Sequence, residues 1–343
     1  MPSKRKHSIK SIVNEFRAYL FLGAILVLGC FAKNFYTLFN IRSILNSTVL
    51  YTFIGIGFTV CMIAGHMDLS VGYMSTTGAV VVLGMHTLSK LPWTWAMLIA
   101  CGVGVIVGLI NGILVTKANI NSFIATLGMQ FVLKGAMFIY CNGAEISVKG
   151  DYGFTDALAY KIPGTPFSLI FLITIAMVII FSVMLACTRF GRNIHIMGGN
   201  LESAWLAGIN SDRVTIIVFI LSAVVCTLGG ALFGIYQGTA TPTTGEKGIS
   251  PLMVALTATI IGGTDVRGGK GYVFNTFVAT VAIQGMFSAL TSISGKYEMQ
   301  ILLMGLVLAL CVIYETLQEY KRQKTVGARP NLMIEYMKEK DTK

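Results

Sequence analysis

Ten apolar runs constrain the fold of this 343-residue chain more than any other feature. Most of them reach the roughly 20 residues that a helix needs to cross the hydrocarbon core of a bilayer. They occupy residues 19–39, 44–63, 72–88, 93–116, 123–141, 167–187, 214–236, 251–263, 272–292 and 299–316. Only 12% of the residues are charged, about half the share found in a typical soluble domain. The sequence therefore predicts an all-α, polytopic membrane protein with about ten transmembrane helices, some of them interrupted.

Basic residues are distributed unevenly among the predicted loops. If the N-terminus is cytoplasmic, most of the 26 Lys and Arg residues fall on the cytoplasmic side, as the positive-inside rule requires. This orientation predicts a cytoplasmic tail at residues 1–18, a transmembrane domain at residues 19–316 and a second cytoplasmic tail at residues 317–343. The net charge of +11 then reflects orientation in the lipid membrane, and nucleic acid is not an expected partner.

A long polar loop at residues 188–213 separates two almost wholly apolar runs. It contains the stretch GRNIHIMGGNLESAWLAGIN, in which glycines and Asn precede a short segment compatible with a helix. A loop of this size must satisfy its backbone through its own fold or through a partner. The loop is therefore predicted to be a cytoplasmic docking element for another subunit.

Two apolar runs are interrupted by similar polar turns, AGHMDLSVG at residues 64–72 and GGTDVRGGKG at residues 262–271. Glycine-broken segments that recur in two halves are typical of duplicated transporter architectures, although a match this short leaves the internal repeat open. The residues expected to form these broken-helix turns are Asp68, Ser70, Gly72, Gly262, Gly263, Asp265, Gly268 and Gly269.

Three glycines at a spacing of four residues, Gly104, Gly108 and Gly112, lie within the fourth apolar run. In a bilayer this pattern allows two helix backbones to approach closely. No strand precedes the glycines and no Lys-Ser/Thr pair follows them, which argues against a nucleotide-binding loop. The spacing predicts a tight helix–helix contact.

Chemistry-bearing residues are sparse within the spans. The acidic residues lie outside the span centres, the four His residues lack metal-ligand spacing, and Lys134 is the formal charge well inside a run. We therefore expect no catalytic site, no metal site, no buried acid and no energy source in this chain. Uncharged polar side chains within the spans could line a solute path or bridge neighbouring helices. They are Asn111, Thr126, Gln130, Asn275 and Gln284.

Five short motifs occur in an order that resembles the membrane permeases of bacterial sugar ABC importers, in the ribose/xylose/autoinducer-2 branch. The resemblance extends from about residue 45 to residue 315. The motifs are Asp68–Gly72, Gly191-Arg192 with Gly198–Asn200, Gly208-Ile209, Thr241–Gly245, and Gly262–Thr264 with Gly268–Gly271.

The resemblance implies a permease of the bacterial inner membrane that has about ten helices and no cofactor of its own. Its implied partners are ATPase subunits that bind ATP, a second permease copy or paralogue, and an extracytoplasmic solute-binding protein. It also implies that part of the polar loop is a coupling helix that contacts the ATPase, with Ala204-Trp205 in place of the usual Ala-Ala pair. The corresponding residues are Gly199, Asn200, Glu202, Ala204, Leu206, Gly208 and Ile209.

Four functions compete at this level. The first is the translocation subunit of an ATP-driven importer for a monosaccharide or similar small polar solute. The second is the permease of a branched-chain amino-acid or nucleoside ABC importer. A self-sufficient secondary carrier would need an ionisable group on its path, and an intramembrane enzyme would need a paired nucleophile and base. The sequence favours the first function.

Overall fold

The computed structural model describes residues 9–148, 150, 152–243 and 250–327. The chain divides into two units, residues 1–301 and 302–343. Within the described residues the elements are α1 (Ile9–Gly29), α2 (Leu38–Ile63), α3 (Val71–Thr87), α4 (Trp93–Thr116), α5 (Ser122–Tyr140), β1 (Ile146–Ser147), α6 (Gly153–Ala159), α7 (Leu169–Cys187), α8 (Arg189–Gly199), α9 (Leu201–Leu206), α10 (Ser211–Gln237), β2 (Thr239–Ala240), α11 (Pro251–Ile261), α12 (Val273–Ser294) and α13 (Tyr297–Gly327).

Every predicted apolar run contains a helix, but the count of about ten transmembrane helices is not confirmed. Among the described residues, seven helices are long and apolar enough to cross a membrane. They are Leu38–Ile63, Trp93–Thr116, Ser122–Tyr140, Leu169–Cys187, Ser211–Gln237, Val273–Ser294 and Tyr297–Tyr314. The apolar part of α1 (Phe16–Gly29) and α11 are shorter, and α3 has 17 residues.

The first predicted span, residues 19–39, is wrong in its bounds. Helix α1 begins at Ile9 and ends at Gly29, and α2 begins at Leu38. A turn separates the two helices, in which Asn34 has a φ of 59° and the Thr37 side chain caps α2 by accepting from the backbone N–H of Asn40 at 3.3 Å. Apolar residues lie on both sides of Lys33 and Asn34 in this turn, so hydropathy averaged over a span-sized window does not reveal it.

The two predicted tails are helical in part, and their cytoplasmic location stays a prediction. Residues 9–18 belong to α1, and residues 317–327 continue α13. Residues 1–8 and 328–343 lie outside the described residues, as do Thr244 and Gly245 of the Thr241–Gly245 motif.

Helix α10 is central to the first unit and packs against α2, α3 and α4. The predicted glycine contact of α4 is confirmed. A Cβ atom at Gly108 would lie 2.6 Å from the Ile220 Cα of α10, and one at Gly112 would lie 2.8 Å from the Ile216 Cα. Helix α3 is buried from Val71 to Gly84, so protein surrounds this apolar helix.

Connections between elements gather on two faces of the first unit. On the face that we name the α8–α9 face, the polar loop contacts the turns at residues 64–70 and 262–272. On the face that we name the β1–β2 face, Ile146 pairs with Ala240 in a two-stranded antiparallel sheet. There the start of α2 is also anchored, because Ser168 Oγ donates to Asn46 Oδ1 at 2.5 Å.

Candidate functional site

The first helix break, at residues 64–70, is organised around a buried carboxylate. The Asp68 side chain is fully buried. Its Oδ1 accepts from the backbone N–H of Ser70 at 3.0 Å and from the Ser70 hydroxyl at 2.5 Å. Its Oδ2 accepts from the Ser222 hydroxyl of α10 at 3.2 Å. Asp68 therefore closes the turn and joins it to the central helix.

Asn111 on α4 and Thr126 on α5 also bind this break. Asn111 Nδ2 donates to Ser70 Oγ at 3.1 Å, and Thr126 Oγ1 accepts the backbone N–H of Leu69 at 3.0 Å. Both side chains are fully buried. They join α4 and α5 to the break, which is the role of bridging neighbouring helices that the sequence allowed. A role on the solute path stays a prediction.

The expectation that the chain buries no acid is wrong. Asp68 lies between two apolar runs in the sequence, but its turn folds into the protein interior. Burial raises the pKa of Asp68 above its ordinary value of 3.8, while the hydrogen bonds from Ser70 and Ser222 oppose this shift. Because the carboxylate accepts three hydrogen bonds, most of its lost hydration is replaced by protein donors.

His66 precedes Asp68 by two residues, a spacing at which a local turn contact could form. In the structure, His66 Nε2 instead forms a hydrogen bond with Thr215 Oγ1 of α10 at 3.2 Å. The ring also lies against Phe219, with centroids 5.7 Å apart. Burial lowers the pKa of His66 below its ordinary value of 6.5. His66 is thus a second link from the break to α10.

The second break, at residues 262–272, closes through local hydrogen bonds. Asp265 Oδ1 accepts the backbone N–H of Arg267 at 3.0 Å, and the Asp265 N–H donates to the Lys270 carbonyl at 2.9 Å. Three glycines turn the chain with positive φ angles: Gly263 at 92°, Gly268 at 93° and Gly269 at 77°. Gly262 packs so closely on α12 that an added Cβ would lie 2.7 Å from the backbone nitrogen of Thr276.

The two breaks meet each other at the end of α8. The Gly269 N–H donates to the Ile63 carbonyl at 2.8 Å, and His195 Nδ1 lies 3.1 Å from the Gly269 carbonyl oxygen. A Cβ atom at Gly198 would lie 1.8 Å from the Ile63 carbonyl oxygen. The polar loop is therefore packed directly against both breaks, and Gly198 is the residue that allows this approach.

The short helix α9 follows this contact and presents an apolar surface to the outside. Its N-cap is Asn200, whose side chain accepts the backbone N–H of Ser203 at 3.0 Å. Leu201, Trp205 and Leu206 are 64%, 75% and 73% exposed. Three exposed large apolar residues on six residues of helix form a patch that favours a protein partner.

The other predicted residues of the coupling element have different surroundings. Ala204 is buried, so it packs α9 against the protein and is not on the exposed surface, whereas Glu202 is exposed. Gly208 has a φ of 72° and leads the chain into α10, and the Ile209 N–H donates to the Ala204 carbonyl at 3.0 Å. Gly199 lies beside Gly269.

The remaining predicted path residues occupy separate places. Asn275 on α12 accepts a hydrogen bond from the Tyr19 hydroxyl at 3.2 Å. Gln130 on α5 has a buried Oε1 without a hydrogen-bond partner. Gln284 lines a groove on the β1–β2 face. The structure does not gather the five into one site, and their role in transport stays a prediction.

Sequence reasoning missed Ser222, His195 and the exposure of Trp205. Ser222 is one of three Ser and Thr residues in the apolar run at residues 214–236, and Trp205 was noted only as a departure from an Ala-Ala pair. Their partners come from distant segments, which no local pattern indicates. Among the residues that the structure describes, no group of three or more His, Cys, Asp or Glu side chains could hold a metal ion.

Comparison with known proteins identifies the family. Residues 40–312 match the model of the family described as branched-chain amino acid transport system / permease component. The chain belongs to this permease family. The matched range includes both breaks, the polar loop and α9.

Sugar permeases are among the curated relatives of this chain. The ribose import permease protein RbsC of Escherichia coli K12 is 28% identical over 91% of this chain and 97% of its own length. RbsC of Haemophilus influenzae is 30% identical over 80% of this chain and 85% of its own length. The L-arabinose transport system permease protein AraH of Escherichia coli K12 is 28% identical over 88% and 90%. These matches confirm the resemblance to sugar ABC importer permeases.

Proposed function

We propose that this permease forms the translocation path of an ATP-binding-cassette importer for a monosaccharide or similar small polar solute. ATP binds to and is hydrolysed by a separate subunit, and this chain has no catalytic site and no cofactor of its own. A second permease copy or paralogue completes the path, and an extracytoplasmic solute-binding protein delivers the solute. The protein spans the bacterial inner membrane with both termini in the cytoplasm.

The observation that carries this proposal is the exposed apolar surface of α9. The end of α8, which directly precedes α9, contacts both helix breaks. An ATPase that binds Leu201, Trp205 and Leu206 would push on α8 and α9 as one body. That displacement would reach Ile63 and Gly269 directly, because Gly198 contacts both segments. Interfaces bury aromatic and large apolar side chains at their centres, and α9 supplies them on the side predicted to be cytoplasmic.

A permease for branched-chain amino acids or nucleosides is the alternative, and the description of the matched family favours it. The sugar-permease names of the relatives, which include RbsC and the galactose/methyl galactoside import permease protein MglC, support the monosaccharide instead. The two proposals differ in the class of solute that is transported, so identifying the transported solute distinguishes them.

The first prediction tests docking through Trp205. Trp205→Ala should lower ATP-driven uptake and co-purification of the ATPase at least tenfold, since truncating a central interface aromatic costs about 2 kcal/mol or more. The matched control is Trp95→Ala, because Trp95 is also exposed, at 61%, but lies at the start of α4. Equal loss in both variants, or none in Trp205→Ala, would contradict the docking role.

Gly208→Pro is a second test of the same surface. Proline cannot adopt the positive φ of Gly208, so the exit from α9 should be displaced and coupling lost, while insertion into the membrane is kept. Glu202→Lys should also abolish uptake if Glu202 contacts the ATPase. Normal ATP-driven uptake by both variants would exclude α9 as the coupling element.

A further inference from the structure

A groove on the β1–β2 face has a lining that suits a hydrated solute and not lipid. It encloses about 530 Å³ between the α1–α2 turn, the start of α2 and the end of α12. Ten of its fourteen lining residues carry an uncharged amide or hydroxyl group, and none carries a carboxylate. Polar groups in contact with hydrocarbon are costly, so water, solute or protein must fill this groove.

The walls of the groove are already fixed by hydrogen bonds. Ser288 Oγ donates to Asn40 Oδ1 at 2.9 Å, which joins α12 to α2. Ser292 Oγ donates to the Lys33 carbonyl at 2.7 Å, which joins α12 to the α1–α2 turn. Gln300 Nε2 donates to the Phe287 carbonyl at 3.2 Å. The groove is therefore a preformed feature of the fold.

One polar side chain of the groove lacks a partner. Gln284 is 7% exposed, and its Nε2 is buried without a hydrogen bond. A buried donor left unsatisfied costs about 1–3 kcal/mol, so a ligand that accepts from Gln284 Nε2 gains a hydrogen bond that the protein itself does not supply. Ser43, Ser47 and Phe287 line the same space and add hydroxyl groups and an apolar surface.

We infer that this groove is a binding site for a neutral polyhydroxylated solute, with Gln284 as the residue that orients it. The inference rests on the proposed function, because it places a sugar subsite on the β1–β2 face. We assign this face to the extracytoplasmic side, where the translocation path would open. Amide and hydroxyl groups can both donate to and accept from sugar hydroxyls. A zwitterionic amino acid could pair its carboxylate with Lys33, but its ammonium group would have no carboxylate partner, so the lining favours the sugar over an amino acid. The volume lies within the range of small-molecule sites, about 300–1,000 Å³.

The test measures binding to the full-length purified permease by equilibrium dialysis and thermal unfolding, with D-ribose, L-arabinose, D-galactose and L-leucine as probes. At least one sugar should bind with half-saturation at roughly millimolar concentration and raise the unfolding temperature, whereas L-leucine should do neither. Gln284→Leu should weaken sugar binding about tenfold with an unchanged or higher unfolding temperature in the absence of sugar. The matched control is Thr280→Val, because Thr280 is also a buried polar residue of α12, its hydroxyl donates to the Thr276 carbonyl at 2.8 Å, and it does not line the groove.

Absence of binding for all three sugars would overturn the groove proposal, as would binding that Gln284→Leu leaves unchanged or that Thr280→Val weakens equally. The competing occupant is a second permease copy that covers the groove. In that case none of the three sugars would bind, and Gln284→Leu would destabilise a permease dimer. ATP-driven sugar uptake by the complete importer is measured in parallel. If the importer takes up sugar but the purified permease binds none in the groove, only this inference is wrong. If sugar uptake does not depend on ATP, the proposed function is wrong.

Discussion

The two helix breaks share an order of residue types in the sequence, with glycine, Asp, a polar turn and glycine between apolar runs, but they are stabilised in different ways. At the first break, the Asp68 carboxylate is buried and binds Ser222 on another helix. At the second, the Asp265 carboxylate is partly exposed and binds Arg267 two residues away. Asp68 forms a tertiary contact with a distant helix, and Asp265 closes a local turn.

This difference shows that one local motif can serve two energetic roles. An aspartate that binds its own backbone two residues on is common turn chemistry and contributes modestly. A buried aspartate with tertiary partners contributes more, because removing it leaves buried donors unsatisfied. The internal repeat suggested by the two motifs stays a prediction, and the structure gives the two copies distinct surroundings.

The largest expected effect concerns the point where the two breaks meet. Gly198→Ala should abolish assembly or transport, because its Cβ would lie 1.8 Å from the Ile63 carbonyl oxygen and 2.8 Å from the Gly269 nitrogen. Such overpacking costs about 1–3 kcal/mol or more when backbone must move. The control is Gly199→Ala, whose Cβ would have its nearest neighbour at 3.7 Å. Membrane yield, monodispersity and ATP-driven uptake are the measurements, and a normal Gly198→Ala protein would contradict the tight junction.

The second effect compares the aspartates directly. Asp68→Leu should lower the free energy of unfolding by about 3 kcal/mol, because the hydroxyls of Ser70 and Ser222 lose a charged acceptor in the interior. Asp265→Leu should cost about 1 kcal/mol or less, since it removes one hydrogen bond at a partly exposed turn. Thermal unfolding in one detergent gives both values. Equal losses would show that burial does not separate the two breaks.

Much of the fold could be predicted because hydropathy is a strong signal in membrane proteins. A helix occurs in each apolar run, and the spacing of Gly108 and Gly112 correctly predicted close packing. The turn at residues 30–37 and the burial of α3 could not be predicted. Phe31 and Phe35 flank Lys33 and Asn34 and keep the average hydropathy of the turn high. Apolar helices have similar sequences whether lipid or protein surrounds them.

The candidate site was predictable only where the chemistry is local. The caps and glycine turns around Asn200, Gly208 and Asp265 follow from residue types at fixed spacing. The partners of Asp68 could not be predicted, because Ser222 is 154 residues away in the sequence. The convergence of Ile63, Gly198 and Gly269 likewise depends on the arrangement of whole helices and not on any segment alone.

The smallest expected effect uses the titratable pair that the first break carries. Burial raises the pKa of Asp68 and lowers the pKa of His66. For Asp68, the native state binds the proton more tightly than the unfolded chain, so stability falls as pH rises from about 3.8 through the raised pKa. For His66, the native state binds the proton less tightly, so stability falls as pH drops from about 6.5 through the lowered pKa.

Below neutral pH these two dependences oppose each other in the intact protein, and single variants should separate them. Asp68→Asn should leave a protein that loses stability on acidification, with a slope of at most about 1.4 kcal/mol per pH unit for one proton. In His66→Gln only the Asp68 dependence remains at this break. The slope of stability against pH should therefore shift in the opposite direction, towards greater stability on acidification. Unfolding temperatures measured from neutral to mildly acidic pH test both, and the difference between the two variants cancels all other titrating groups. Parallel pH profiles would contradict the burial of this pair and would make the first break resemble the second.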